Sequence, residues 1–211
     1  MPYLLSVITC LFLSISLLGQ EWRQARNKDG IQVYTRAAAG SQFKEFRGVT
    51  ELQTPISAIV AALQDVGSYP EWMPHSAASE VVARQGDTEL VYRLITDAPW
   101  PVQDRDGIYR MRFERPPGSR GVRIQLSALP GRLPEDPDYV RIQRLDGYWQ
   151  LSPQADGVVR VVYQVLTDPA GKVPVWLVNS TVVNQPFKTL SALRRRVALP
   201  QYQNREYSFL D

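Results

Sequence analysis

The chain has 211 residues, of which 44% are hydrophobic and 21% are charged. This composition fits a folded globular protein and excludes an intrinsically disordered one. Lysine and arginine number 24 against 21 aspartate and glutamate, so the net charge is only +3. The only dense basic run is residues 194–196, and we therefore expect no nucleic-acid partner.

Histidine and cysteine are almost absent, with His75 and Cys10 the single examples. This excludes zinc sites built from His and Cys, Cys–His catalysis and internal disulfides. A Ser-His-Asp triad would have to use His75, and no G-x-S-x-G motif accompanies it. We expect no catalytic residue, no metal and no cofactor.

The first 20 residues contain no charged side chain, and Tyr3 to Leu18 form a nearly continuous apolar run. The run is shorter than the ~18 residues expected of a membrane-spanning helix, so it predicts a signal peptide cleaved near Gln20 or Glu21. An uncleaved N-terminal anchor is the alternative, because the segment lacks a basic residue and a good cleavage site. We expect a periplasmic or secreted protein, or a membrane-anchored one if the leader stays.

The chain after the leader begins with strand and helix patterns. Residues 31–36 and 42–52 predict a β-hairpin. Thr54 as N-cap and Pro55 as first helical residue predict a helix that ends near Gly67, with Ile56, Ile59, Val60 and Leu63 on its apolar stripe. The proline-rich residues 69–74 predict a loop or a short broken helix.

The middle of the chain carries only strand signals, which predict an antiparallel meander. In residues 121–129 apolar and polar side chains alternate, as in a sheet with one dry face. The predicted strands are residues 81–83, 89–96, 107–115, 122–129, 140–151 and 158–166.

Residues 173–199 return to a helical period. Their apolar stripe consists of Val178, Val182, Pro186, Leu190, Leu193 and Val197. We predict one long C-terminal helix kinked at Pro186. Because no repeat, linker or charge block divides residues 21–211, we predict a single domain of α+β class. Its curved antiparallel sheet would wrap around the long helix, an arrangement called the helix grip.

Four stretches of this sequence resemble the START (StAR-related lipid-transfer) domain family. Residues 99–106, PWPVQDRD, resemble its P-[WF]-P-x-x-x-R-D signature. Residues 168–179, DPAGKVPVWLVN, are similar to its D-P-x-G-x-[IV]-P-x-W-L-[IV]-N entry into the final helix. Weaker matches are DVGSY with the following Glu71-Trp72, and GYWQL at 147–151 with the later VVY at 161–163.

In that family a tunnel between the sheet and the final helix holds one lipid, and the helix with nearby loops acts as a lid. The resemblance therefore implies a hydrophobic cavity here, for which aromatic and apolar side chains are the natural lining. The headgroup class does not transfer, because the aromatic choline cage of phosphatidylcholine carriers has no full match in this sequence. The candidate ligand-binding residues are Trp72, Tyr92, Arg93, Trp100, Arg105, Tyr109, Met111, Trp149, Tyr163, Trp176, Val178, Val182 and Pro186.

Several roles stay open on the residues alone. Trp100 is either a packing anchor or a ligand contact, and Arg105 either forms a salt-bridged turn with its flanking aspartates or positions a ligand. Alternation does not decide whether Tyr92 or Arg93 points inward. Pro186 is either a hinge for ligand entry or a static bend.

Three classes of function follow from these patterns. The leading hypothesis is a monomeric, non-enzymatic protein that binds and transfers a lipid or another hydrophobic small molecule, with transient membrane contact. The alternative is an enzyme of the polyketide cyclase or aromatase type, using the same cavity. A third class, an exported interaction module with a closed core, predicts no cavity, or one below the ~300 Å³ lower end of ligand pockets.

Overall fold

The computed structural model describes residues 21–210, and the predicted leader lies outside them. The strands are β1 Arg23–Lys28, β2 Ile31–Ala37, β3 Lys44–Gln53, β4 Ser76–Gln85, β5 Glu89–Thr96, β6 Arg105–Glu114, β7 Val122–Ala128, β8 Val140–Arg141, β9 Arg144–Pro153 and β10 Val158–Asp168. The helices are α1 Ile56–Gln64, α2 Tyr69–Trp72, α3 Val175–Thr181 and α4 Asn184–Arg196.

All the strands belong to one sheet, in the order β1-β2-β3-β10-β9-β7-β6-β5-β4. Neighbours along this path are antiparallel, and the short β8 pairs with β6 in parallel. The last strand, β10, lies between β3 and β9 and pairs with both. It therefore joins the N-terminal strands to the central meander.

Most predicted strands are confirmed, and the differences occur where pairing with a neighbouring strand determines whether a segment is a strand and where it ends. The hairpin of β2 and β3 is present, but β1 was not predicted because residues 23–28, RQARNK, are polar and mostly exposed. It is a strand because it pairs with β2 at the sheet edge. The predicted strand 140–151 is interrupted after Arg141, and β4 extends the predicted 81–83 in both directions.

The first helix lies where the sequence places it. Pro55 occupies the N-cap in extended geometry rather than the first helical position, so Thr54 is not the cap. Residues 58–64 are buried, which fixes α1 against the core. The proline-rich segment forms the one-turn helix α2.

The C-terminal helix is divided, and the prediction of a kink at Pro186 is wrong. The break falls between α3 and α4, at Val182 and Val183. Pro186 lies in the first turn of α4, where backbone N–H groups have no intrahelical acceptor, so its missing N–H costs no helical hydrogen bond. Proline here is compatible with a regular helix start.

The sheet and the helices enclose a common apolar core. α4 packs against β2 and β3 and buries Leu190 and Leu193 completely. Between Glu21 and Leu210, no helix is both long and apolar enough to cross a bilayer. The architecture is the predicted α+β helix grip, with its C-terminal helix in two pieces.

Candidate functional site

A cavity of about 280 Å³ lies between the concave face of the sheet and the C-terminal helices. Strands β3, β5, β6, β7, β9 and β10 form its floor, and Leu177, Val178 and Val182 cover it from α3 and the α3–α4 junction. Its rim includes the exposed residues Lys44 and His75. The predicted residues that line it are Tyr92, Arg105, Tyr109, Met111, Trp149, Tyr163, Val178 and Val182.

Strand alternation explains which side chains reach the cavity. On β6 the residues at odd positions, Arg105, Tyr109 and Met111, face inward, because successive side chains of a strand point to opposite faces. Tyr92 on β5 faces inward for the same reason, and Arg93 faces the outer side. Gly107 lies in the same inward row, where an added Cβ would stand 2.0 Å from the Tyr109 hydroxyl. Only glycine lets that ring lie over the strand.

Aromatic rings form much of the wall. Trp149 and Tyr163 stack with their centroids 3.8 Å apart, and Tyr69, Tyr92 and Tyr109 follow one another at 5.8 and 5.4 Å. Burial raises the pKa of all four tyrosines, so they are neutral at physiological pH. The Tyr69 hydroxyl donates to the Leu63 carbonyl.

The other three phenols differ from Tyr69 in their partners. Within residues 21–210, the hydroxyls of Tyr92, Tyr109 and Tyr163 have no hydrogen-bond partner. Buried hydroxyl groups in a closed core are normally hydrogen-bonded. These three are therefore available to a ligand or to water inside the cavity.

Arg105 is a buried cation in the cavity wall, with 7% of its surface exposed. Its Nη1 donates to the Gln103 carbonyl, and its Nε lies 3.4 Å from the Pro169 carbonyl oxygen. No described carboxylate lies within 4.0 Å of the guanidinium. Burial lowers the pKa of Arg105, and Asp104 partly offsets this effect. The salt-bridged turn considered for Arg105 is not formed.

Five predicted residues lie away from the cavity. Trp72 packs edge-on against Tyr69, and Arg93 forms ion pairs on the outer face. Trp100 and Trp176 are 93% and 72% exposed, so Trp100 is not a packing anchor. Pro186 is buried against β3, where the Cβ of a residue replacing Gly48 would stand 3.3 Å from the proline Cβ.

Sequence reasoning missed other lining residues. Phe46 and Leu126 share the inward rows of β3 and β7, and their alternation with polar neighbours could have identified them. Tyr69 is the first residue of the short helix α2, and the alternation of strand residues gives no information on where its side chain points. His75 adopts a positive φ of 62° and sits exposed at the rim beside Asp97.

A second hollow, of about 360 Å³, lies on the outer face of the sheet. It is larger, but its polar groups already bind one another: Arg36 pairs with Glu45 at 2.6 Å, and Gln164 donates to the same carboxylate. A third hollow, of about 320 Å³, surrounds the ion pair of Arg93 and Asp136. Among the described residues, no group of three or more His, Cys, Asp or Glu could hold a metal ion. The inner cavity is the candidate site because it combines apolar walls with partnerless polar groups.

The comparisons with known proteins agree with this geometry. A family model described as polyketide cyclase / dehydrase and lipid transport matches residues 52–192. The crystal structure of a STAR-related lipid transfer protein (fragment 25–204) from Xanthomonas axonopodis is 41% identical, with a TM-score of 0.79. The alignment covers 84% of this chain and 99% of that one.

Two curated relatives extend the comparison. An uncharacterized protein of Pseudomonas aeruginosa is 36% identical over 177 residues, 84% of this chain and 87% of the relative. The mouse phosphatidylcholine transfer protein is 25% identical over 175 residues, 80% of each chain. The chain thus belongs to the polyketide cyclase / dehydrase and lipid transport family, and within it to the START-domain proteins. The resemblance and the helix-grip fold predicted from the sequence are confirmed.

Proposed function

We propose that this protein binds a lipid or another hydrophobic small molecule in the inner cavity and transfers it without chemical change. The observation that carries the proposal is an apolar, ring-lined cavity that contains partnerless polar groups. A solved relative at 41% identity is a lipid transfer protein by name, which supports the same class of function.

The volume of the cavity, taken alone, argues against a ligand-binding function. At about 280 Å³ the cavity is just below the ~300 Å³ lower end of ligand pockets, which favours the closed-core interaction module. A closed core, however, would satisfy its buried polar groups. The lone guanidinium of Arg105 and three free phenols are unexpected in such a core, and we give them more weight than the volume.

Catalysis fits the cavity less well than binding. The titratable groups inside it are Arg105 and tyrosines whose raised pKa leaves them neutral, so none is a general base near pH 7. His75 and Asp97 also belong to the lining, but both lie exposed at the rim. Turnover of a polyketide substrate, lost when a cavity tyrosine is replaced, would reverse this preference.

Native mass spectrometry with solvent extraction of the purified protein tests the proposal. We expect a co-purified hydrophobic molecule, and its loss in Leu126→Trp, which fills the cavity from β7. Gln125→Trp, on the opposite face of the same strand, is the matched control and should keep the ligand. An empty wild-type protein that binds no lipid, sterol or hydrophobic metabolite from a broad panel would contradict the proposal.

Contact with a membrane during loading is the second part of the proposal. Trp100 and Trp176 are exposed, although their neighbours Pro99, Val102 and Leu177 line the cavity. Large exposed aromatics are unusual on a protein surface, and tryptophan favours the bilayer interface. Both rings therefore support docking of the cavity rim on a bilayer.

We predict that Trp100→Ala combined with Trp176→Ala weakens binding to phosphatidylcholine vesicles by roughly tenfold or more, since each ring loses apolar burial. Vesicle co-sedimentation measures this change. Ligand affinity in solution should stay within about twofold of the wild type. Val81→Ala, at an exposed apolar site on the edge strand β4, is the control and should bind vesicles normally. Equal vesicle binding by all variants would rule out this docking surface.

The proposed place of action is outside the cytoplasm, and it rests on the apolar leader of the sequence alone. Intact-mass measurement of the exported protein should find a chain that starts near Gln20 or Glu21. A chain that keeps Met1 and fractionates with membranes would instead be tethered there.

A further inference from the structure

The hydrogen-bond partners of Arg105 indicate which polar group a ligand would carry, and the apolar walls of the cavity do not. A guanidinium has five N–H donors, and the protein accepts from two of the nitrogens, through the carbonyls of Gln103 and Pro169. Nη2 has no acceptor among residues 21–210. One edge of the guanidinium, with donors on Nη1 and Nη2, is therefore unoccupied by protein.

Among residues 21–210, the other two buried arginines, Arg141 and Arg196, are neutralised, and so is the half-buried Arg93. Arg141 and Arg93 share the carboxylate of Asp106, and Arg196 lies 2.7 Å from Glu71. A buried cation without a counter-charge is costly, and a natural protein keeps one mainly where a ligand supplies the charge. Arg105 is the exception, and it faces the cavity.

The shape of the site limits how much ligand can accompany that charge. Arg105 begins β6, at the end of the sheet near the rim, and Tyr109 and Met111 continue the same inward row deeper along the strand. This row from Arg105 to Met111 is ~20 Å long at the rise of a strand. A cavity of about 280 Å³ along such a row is long for its volume, so it has room for one chain and not for the two acyl chains of a phospholipid.

We infer that the ligand is a single-chain amphiphile with one oxyanion, a carboxylate or a phosphate, bound at Arg105. Its oxyanion accepts from Nη1 and Nη2 in the bidentate geometry that suits guanidinium, and its chain follows Tyr109 and Met111. The inference rests on the proposed binding function and makes it specific. Long-chain fatty acids and lysophospholipids with a terminal phosphate are the two sources of this chemistry.

Binding measurements with matched ligands test the inference. Palmitate and hexadecanol have equally long chains and differ at the head, where only palmitate carries a charge. We expect the wild type to bind palmitate about 10- to 100-fold more tightly, the value of hydrogen bonds to a charged group. Arg105→Gln should remove this difference while hexadecanol affinity changes little. Arg112→Gln, an exposed arginine on the outer face of the same strand, should keep it.

A second measurement does not depend on the folding of the variant. With the wild type, palmitate affinity should fall as pH drops through the pKa of the fatty acid, and hexadecanol affinity should stay constant. Lysophosphatidate and dioleoylphosphatidylcholine complete the panel. Tighter binding of lysophosphatidate than of palmitate would identify the phosphate source and still support the inference.

Two outcomes would overturn the inference and leave the proposed function intact. One is equal affinity for palmitate and hexadecanol in the wild type. The other is displacement of palmitate by dioleoylphosphatidylcholine at equal concentrations. Failure of every ligand, hexadecanol included, would instead contradict the proposed function itself.

Discussion

Arg105 and Asp106 are neighbours on β6 whose side chains serve opposite faces of the sheet. Arg105 faces the cavity, and Asp106 is 1% exposed on the outer side, where it binds Arg93 and Arg141. Arg141 also donates to carbonyls of Pro130, Leu133 and Pro134, so the network fastens the loop before β8 to the sheet. The half-buried Arg93 is thus paired with Asp106 on the outer face, and it also binds Asp136.

Replacing Asp106 by Asn should destabilise the protein by about 3–5 kcal/mol, because two arginines lose their shared buried counter-charge. Urea unfolding measures the loss. Glu89→Gln breaks the more exposed Glu89–Arg112 pair and should cost less than about 1 kcal/mol. If both variants lose the same stability, the network is no more important than a surface pair.

Gly48 lies where β3 packs tightly against α4. A Cβ at this position would stand 2.7 Å from Leu190 Cδ1 and 3.3 Å from Pro186 Cβ, and both neighbours are buried. We predict that Gly48→Ala costs about 1–3 kcal/mol of unfolding free energy through overpacking. Gly67→Ala, with open space around it and an ordinary φ, should change stability by no more than about 1 kcal/mol. If Gly48→Ala leaves the unfolding free energy unchanged, α4 can shift away from β3 at no cost and the prediction is wrong.

At the level of elements, the two C-terminal helices differ in how they are held. α4 buries Leu190 and Leu193 completely, and Arg196 at its end binds Glu71 and Tyr202. α3 has no buried residue, and its polar link to the sheet is the Lys44 N–H donating to Asn179 Oδ1 at 3.0 Å. From this asymmetry we infer that α3 is the part that moves during ligand exchange, with its hinge at Val182 and Val183.

Asn179→Ala should therefore speed release of bound ligand by about fivefold, the value of one hydrogen bond of ~1 kcal/mol. Pro186→Ala, in the first turn of the fixed helix, should leave the release rate unchanged. Stopped-flow transfer to acceptor vesicles measures both rates. Faster release from Pro186→Ala alone would return the hinge to α4.

Elements with a regular apolar period were predictable from the sequence. β5 was predicted with its observed bounds, and α1 lies where its stripe indicates. The break in the C-terminal helix was not predictable, because Val178, Val182, Pro186 and Leu190 keep an unbroken spacing of four residues across it. α4 packs against β2 and β3, which are distant in sequence, and the spacing of its own apolar residues does not show where this packing begins.

At the level of the whole molecule, the sequence shows which residues of a strand share a face of the sheet, but it does not show which face lines the cavity. Alternation shows that Arg105, Tyr109 and Met111 share a face of β6, but only the curvature of the assembled sheet makes that face concave. Trp100 was misjudged because its prolines fix an extended backbone without fixing a direction. The loop that carries Trp100 lies beyond the last pair of the β5–β6 ladder, Thr96 and Arg105, and the sequence does not show where this pairing stops.

The position of β10 has a consequence for how the chain must fold. β3 pairs with β10, which follows it by nearly the whole meander: Gln53 lies opposite Val158. Until β10 is made, β3 and β9 each present an open sheet edge, and such edges pair readily with wrong partners. Contacts this distant in sequence also form slowly. A growing chain therefore stays unfinished until its last strand is made, and that strand joins the two parts of the sheet and covers the open edges of β3 and β9.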